Sequence, residues 1–129
     1  MLKDKYSYAL EKFSSAIYIL VTGAGDIRDR LRDAFLGPLL MITHEHLPIK
    51  LQEDFIWIKR NITKYKEKWP GQLEELRKYE EKSPDFKEKH PESYPNPIEA
   101  TCRRIHKRTG AEIAKRIFKI YDNLNSKAT

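Results

Sequence analysis

An all-α fold is what the sequence predicts: a single-domain bundle of four to five helices, with a proline-rich connection before the C-terminal ones. Three observations carry this. Apolar residues recur at three- and four-residue steps along most of the chain. Five glycines and seven prolines fall mainly between those periodic segments. An apolar share of 40% against a charged share of 34% suits helices that bury one face and solvate the other. A chain of 129 residues reads as one domain, 1–129, able to bury roughly two-thirds of its unfolded surface.

The first helix is expected from Lys3 to Thr22, with Tyr6, Leu10, Phe13, Ile17 and Leu20 inward. Its last turn is apolar nearly all round, so Ile19 and Val21 are expected to meet a second neighbour, which makes this the central helix. Gly23 or Gly25 ends it at a positive φ. Asp26 then caps a second helix, with Asp29 in its first turn and Ile27, Leu31, Ala34 and Phe35 inward. Gly37-Pro38 stops that helix, because proline removes a backbone donor and restricts the residue before it.

Leu39 to Ile42 read as a buried turn, followed by the polar connection Thr43-His44-Glu45-His46-Leu47-Pro48. A third helix runs to about Lys66 on the stripe Leu51, Phe55, Ile58, Ile62 and Tyr65. Pro70-Gly71 closes it. Gln72 to Lys82 form a charged helix with Leu73, Leu76 and Tyr79 as its narrow apolar edge. Residues 83–95 carry three prolines and only Phe86 and Tyr94 as anchors, so they read as an extended, mobile connection. Asn96-Pro97-Ile98-Glu99 opens the next helix with a cap, a proline at its first position and a glutamate at its third; Ile98, Cys102 and Ile105 point inward. A second capping pattern at Thr109-Gly110-Ala111-Glu112 marks a sharp turn or a weak point, before Ile113, Ile117, Ile120, Tyr121 and Leu124 continue the inner face.

Apolar Ile17–Val21 followed by Thr22-Gly23-Ala24-Gly25 imitates the opening of a dinucleotide-binding fold, in which glycines let backbone N–H groups approach a pyrophosphate. Period decides against it. The apolar positions before the glycines keep helical spacing, Arg28 stands where the third glycine belongs, and no second strand follows. A helix-to-helix turn is the expectation.

Few residues suggest chemistry. His44, Glu45 and His46 are the one cluster of ligand-type side chains, but two histidines two apart diverge on a helix, and a third ligand has no obvious source. A polar loop is expected, with no metal. Cys102 and His106 could share a helix face, yet Cys102 sits on an apolar stripe where a small buried thiol is ordinary. No catalytic residue and no cofactor are assigned. The lone cysteine, the absence of a signal-like N-terminus and the lack of a long apolar run give a cytoplasmic expectation, without membrane contact.

Charge carries the functional expectation. The net charge of +6 equals that of the segment from Arg103 to Lys119, where Arg103, Arg104, Lys107, Arg108, Lys115, Arg116 and Lys119 oppose only Glu112. A weaker run, Lys59, Arg60, Lys64, Lys66 and Lys68, is interleaved with Trp57, Tyr65 and Trp69, as in single-strand binders that stack bases. A helix-turn-helix centred on Gly110 would bury Arg116 and Lys119, so no DNA-recognition helix is assigned. The expectation is a small non-enzymatic binding or accessory protein. Its seven C-terminal cations meet an acidic partner protein, and self-association is compatible with this. The alternative is contact with the phosphate backbone of a nucleic acid through the same residues. An enzyme using His44, Glu45 and His46 ranks third.

Overall fold

The computed structural model describes the backbone of residues 5–128; Lys3, where the first helix was expected to start, lies outside these residues. Among them there are seven α-helices and no strand. The helices are α1 Ser7–Thr22, α2 Ile27–Leu36, α3 Ile49–Ile62, α4 Gln72–Lys82, α5 Phe86–Lys89, α6 Pro97–Arg104 and α7 Lys107–Ala128, with 3-10 turns at His44–His46 and Pro91–Ser93. The all-helical class holds; the count exceeds the expected four to five. Part of the excess lies in the supposedly extended 83–95 segment, which folds into α5 and the second 3-10 turn. Phe86 makes that possible by stacking on Tyr79 at 5.2 Å, while the Tyr94 hydroxyl donates to Glu80.

Helix α1 buries Ala9, Phe13 and Ala16 completely, while Tyr6, Leu10, Ile17 and Leu20 flank this line half-buried. The inner face is therefore turned from the expected one. Small residues occupy the centre because α1 packs on both α2 and α7, and alanines admit close approach while larger side chains fill the crevices beside them. Ile19 packs on the core, but Val21 is 70% exposed and meets no second neighbour. Centrality belongs to α7 instead. It packs against α1, α2 and α3 through Ile113, Ile117, Ile120 and Leu124. Gly110 lies buried in its second turn, where a Cβ would stand 3.1 Å from Cγ2 of Ile27, so the bare backbone sets the approach to α2.

Local signals set several boundaries. Gly25 takes φ +86°, and the backbone N–H of Arg28 donates to Asp26 at 2.8 Å while the N–H of Asp26 donates to Asp29 at 3.1 Å, a reciprocal cap on α2. The Arg28 guanidinium and this backbone bond hold the Asp26 carboxyl well below the usual carboxylate range. Its stabilising contribution is thus fully present above the ordinary carboxylate pKa and is lost only as pH falls through the lowered one. Arg30 donates to the carbonyl of Leu20 at 3.2 Å, tying a cation to the carbonyl end of α1. At α6, Asn96 accepts from the N–H groups of Ile98 and Glu99, as its sequence foretold.

Three expectations are corrected. Leu39 and Ile42 are buried in the turn after α2, but Leu40 and Met41 are 48% and 71% exposed. Helix α3 stops at Ile62, short of Lys66; after Thr63 the chain leaves the helical ladder, and the N–H of Tyr65 donates to the hydroxyl of Thr101. The break between the last two helices falls at Ile105-His106, ahead of the Thr109–Glu112 pattern, which lies inside α7.

Candidate partner-binding surface

Helix α6 ends in Arg103 and Arg104, and α7 begins two residues later with Lys107 and Arg108, so the turn between them gathers cations. Packing then sorts the seven expected site residues into two groups. Arg104 lays its guanidinium over the Tyr65 ring at 4.4 Å and donates to the carbonyl of Glu67. Arg116 bonds to Asp54 at 3.1 Å and Glu112 at 3.4 Å, with its guanidinium 3.9 Å from the Trp57 ring. Lys119 reaches the other oxygen of Asp54 at 3.3 Å. These three join α7 to α3, and α6 to the chain after α3.

Arg103, Lys107, Arg108 and Lys115 are exposed, and no carboxylate among the described residues lies within ion-pair distance of them. Lys107 and Arg108 also occupy the first turn of α7, which contains no acidic residue. Cations at that end oppose the helix dipole. No ion pair among the described residues joins the acidic residues of α4 to the group; Glu74 pairs with Arg77, and Glu80 accepts from Tyr94.

Beside Arg103 a cleft opens, lined also by Asp29, Arg32, Lys68, Glu99 and Cys102. Sequence reading did not unite these residues. They come from α2, the loop after α3, and α6, and no local pattern reports such a meeting. The loop is held by Thr101, fully buried on α6, whose hydroxyl accepts from the N–H of Tyr65 at 2.8 Å and donates to its carbonyl at 3.2 Å.

The aromatic residues interleaved with the second basic run are not free platforms. Arg116 covers Trp57 and Arg104 covers Tyr65, leaving Trp69, 49% exposed, as the open one of the three. Cys102 is 5% exposed, and burial pushes its thiol up to about 12, while His106 lies outside α6 in the exposed turn. A nucleophilic pair is not formed. Iodoacetamide at pH 8 is expected to alkylate Cys102 in the folded chain on the order of 10³ times more slowly than a free cysteine. Mass spectrometry after timed quenching checks this, and a rate near that of the urea-unfolded chain contradicts it.

The His44-Glu45-His46 cluster is divided. His46 turns its Nδ1 to the backbone N–H of Thr43 at 3.0 Å and packs on Tyr8 at 5.1 Å, whereas His44 and Glu45 line a groove with Leu40, Ile42, Thr43, Phe55, Ile56 and Lys59. Among the described residues no three histidine, cysteine or acidic side chains are grouped so as to hold a metal ion. Nor is any helix among the described residues long and apolar enough to cross a membrane. Comparison of the chain with protein-family models, curated proteins and solved structures finds no match.

Proposed function

We propose that the chain is a small binding or accessory protein that holds an acidic partner protein against the α6–α7 turn. The observation behind this reading is a set of four exposed cations, Arg103, Lys107, Arg108 and Lys115, without counter-ions, on a surface that also carries carboxylates. Asp29 and Glu99 line the cleft beside Arg103, and Glu112 stands exposed between Arg108 and Lys115. Mixed charge of this kind suits discrete carboxylates on a protein, each meeting one cation. It repels a continuous polyanion along part of its path.

Nucleic-acid contact is the second reading, and one observation favours it. With the break at Ile105-His106, the inner positions of the second helix are Gly110, Ile113 and Ile117, all buried. Arg116 and Lys119 then face α3 at the surface and no longer count against a helix-turn-helix. The covered faces of Trp57 and Tyr65 weigh against single-strand stacking.

The test is affinity capture by the wild-type chain and by a variant with Arg103→Glu, Lys107→Glu, Arg108→Glu and Lys115→Glu together. These positions are exposed and unpaired, so the variant keeps its fold, which circular dichroism confirms. The expected prey is an acidic protein retained through nuclease treatment and lost with the variant. Prey that disappears on nuclease treatment selects the nucleic-acid reading. Prey recovered equally by both chains removes the surface from either role.

A further inference from the structure

The groove between the turn at residues 39–46 and α3 lies away from the α6–α7 turn. Asp54 and Trp57 on one flank of α3 meet Arg116 and Lys119 of α7, whereas Ile56 and Lys59 on its other flank line the groove. Two large apolar side chains of its lining, Leu40 and Ile56, are exposed, and Met41 and Ile49 stand exposed close to them in the chain. Ile49 is 86% exposed and Ile56 40%, with Leu40 at 48% and Met41 at 71%. A single exposed apolar residue is ordinary, but four within seventeen residues of chain, beside a groove floored by buried Ile42 and Phe55, mark a surface that is covered in use.

Ile49 and Ile56 are seven residues apart, so they share one side of α3 at a separation of about 10.5 Å. That spacing is two helical turns, the repeat at which an amphipathic helix presents anchors at i, i+3, i+4 and i+7. Lys59 stands half-buried at the groove with no carboxylate in ion-pair distance among the described residues, and burial lowers its ammonium pKa. A ligand carboxylate here gains a partly desolvated counter-charge. Glu45, exposed at the rim, disfavours a second carboxylate on its side, which orients the ligand.

We propose that this groove docks an amphipathic helix of a partner protein, its apolar face covering Leu40 and Ile56 above the floor of Ile42 and Phe55 and one of its carboxylates pairing with Lys59. The surface is independent of the α6–α7 cations, so the chain has two faces for protein contact.

A displayed library of helix-forming 14-residue peptides selected on the full-length chain tests this. Enriched peptides are expected to carry apolar residues at i, i+3, i+4 and i+7 with an acidic residue beside them. Synthesised and titrated by fluorescence anisotropy, they should bind Ile56→Glu at least about tenfold more weakly. Lys59→Glu should lose a similar factor and regain it when the peptide's acid is changed to lysine. Arg103→Glu with Arg108→Glu should leave peptide affinity unchanged, which separates this groove from the α6–α7 surface. The proposal is overturned if no peptide is enriched, if enriched peptides bind the groove variants as tightly as wild type, or if the lysine exchange restores nothing. It is also overturned if sedimentation shows a wild-type dimer that Ile56→Glu converts to monomer, because a second copy then covers the groove.

Discussion

Phe55→Ala is expected to lower the unfolding free energy by about 3–5 kcal/mol, the range for deleting a large buried aromatic. Phe55 is 1% exposed, and its ring meets that of Phe13 edge-on, with centroids 5.8 Å apart and planes at 71°. The pair connects α1 to α3 across the middle of the core, so truncation removes an aromatic contact as well as buried area. Neighbours are poorly able to close the gap. Phe13 is itself fully buried on α1, and Ile58 and Ile62 are fully buried on α3 beside Phe55 and fixed by the same backbone. Against a total stability of about 5–15 kcal/mol the loss is a large fraction of the whole. Urea denaturation followed by circular dichroism measures it. A shift below about 1 kcal/mol with unchanged denaturant slope contradicts the packing described.

Thr101→Val should cost about 2–4 kcal/mol, although it conserves shape and adds no charge. The hydroxyl of Thr101 both accepts from and donates to the backbone of Tyr65, and the residue is fully buried. Valine leaves the N–H and the carbonyl of Tyr65 without these partners, and an unsatisfied buried polar group loses its desolvation energy with nothing returned. Thr101→Ser keeps the hydroxyl and removes one methyl group, so it should recover more than half of the loss. The comparison separates hydrogen bonding from packing. Destabilisation by Ser with little loss in Val, read from the same denaturation curves, would assign the effect to the methyl group. Because Tyr65 begins the loop that carries Lys68 to the Arg103 cleft and lies under Arg104, the Val variant should also broaden amide resonances of residues 64–68.

Helix starts proved readable wherever the chemistry is local. Asp26 and Asp29 satisfy orphan N–H groups from within a few residues, as Asn96 does for those of Ile98 and Glu99, so spacing alone announces them. Two local signals misled. Tyr65 continues the stripe of α3 in sequence, but the helix ends before it, and Tyr65 bonds to α6 instead. Thr109 and Glu112 resemble a cap, yet they lie on a helix already begun at Lys107. A pattern compatible with a boundary does not force one when tertiary packing favours continuation, and the close fit of Gly110 on Ile27 is such packing.

Charge behaved differently. Arg103 and Arg104 are adjacent, as are Lys115 and Arg116, and nothing in composition tells one from the other. The rotation of each helix against its neighbours does. Arg116 falls toward Asp54 and Trp57 while Lys115 points to solvent, and Arg104 finds Tyr65 while Arg103 borders the cleft. Two of the three cations consumed in this way meet groups more than fifty residues away in sequence.

By itself the sequence determined the all-helical class, the caps at Asp26 and Asn96, most of the residues of the core, and that the excess charge lies between Arg103 and Lys119. Those properties follow from periodicity and short-range bonding, which span a few residues. Only the tertiary structure decided that α7 is the central helix, that four of the seven cations are left exposed without an ion pair among the described residues, and that His44 and His46 face different surroundings. These depend on contacts between distant segments, whose free energy belongs to the packed arrangement and to no single stretch of chain.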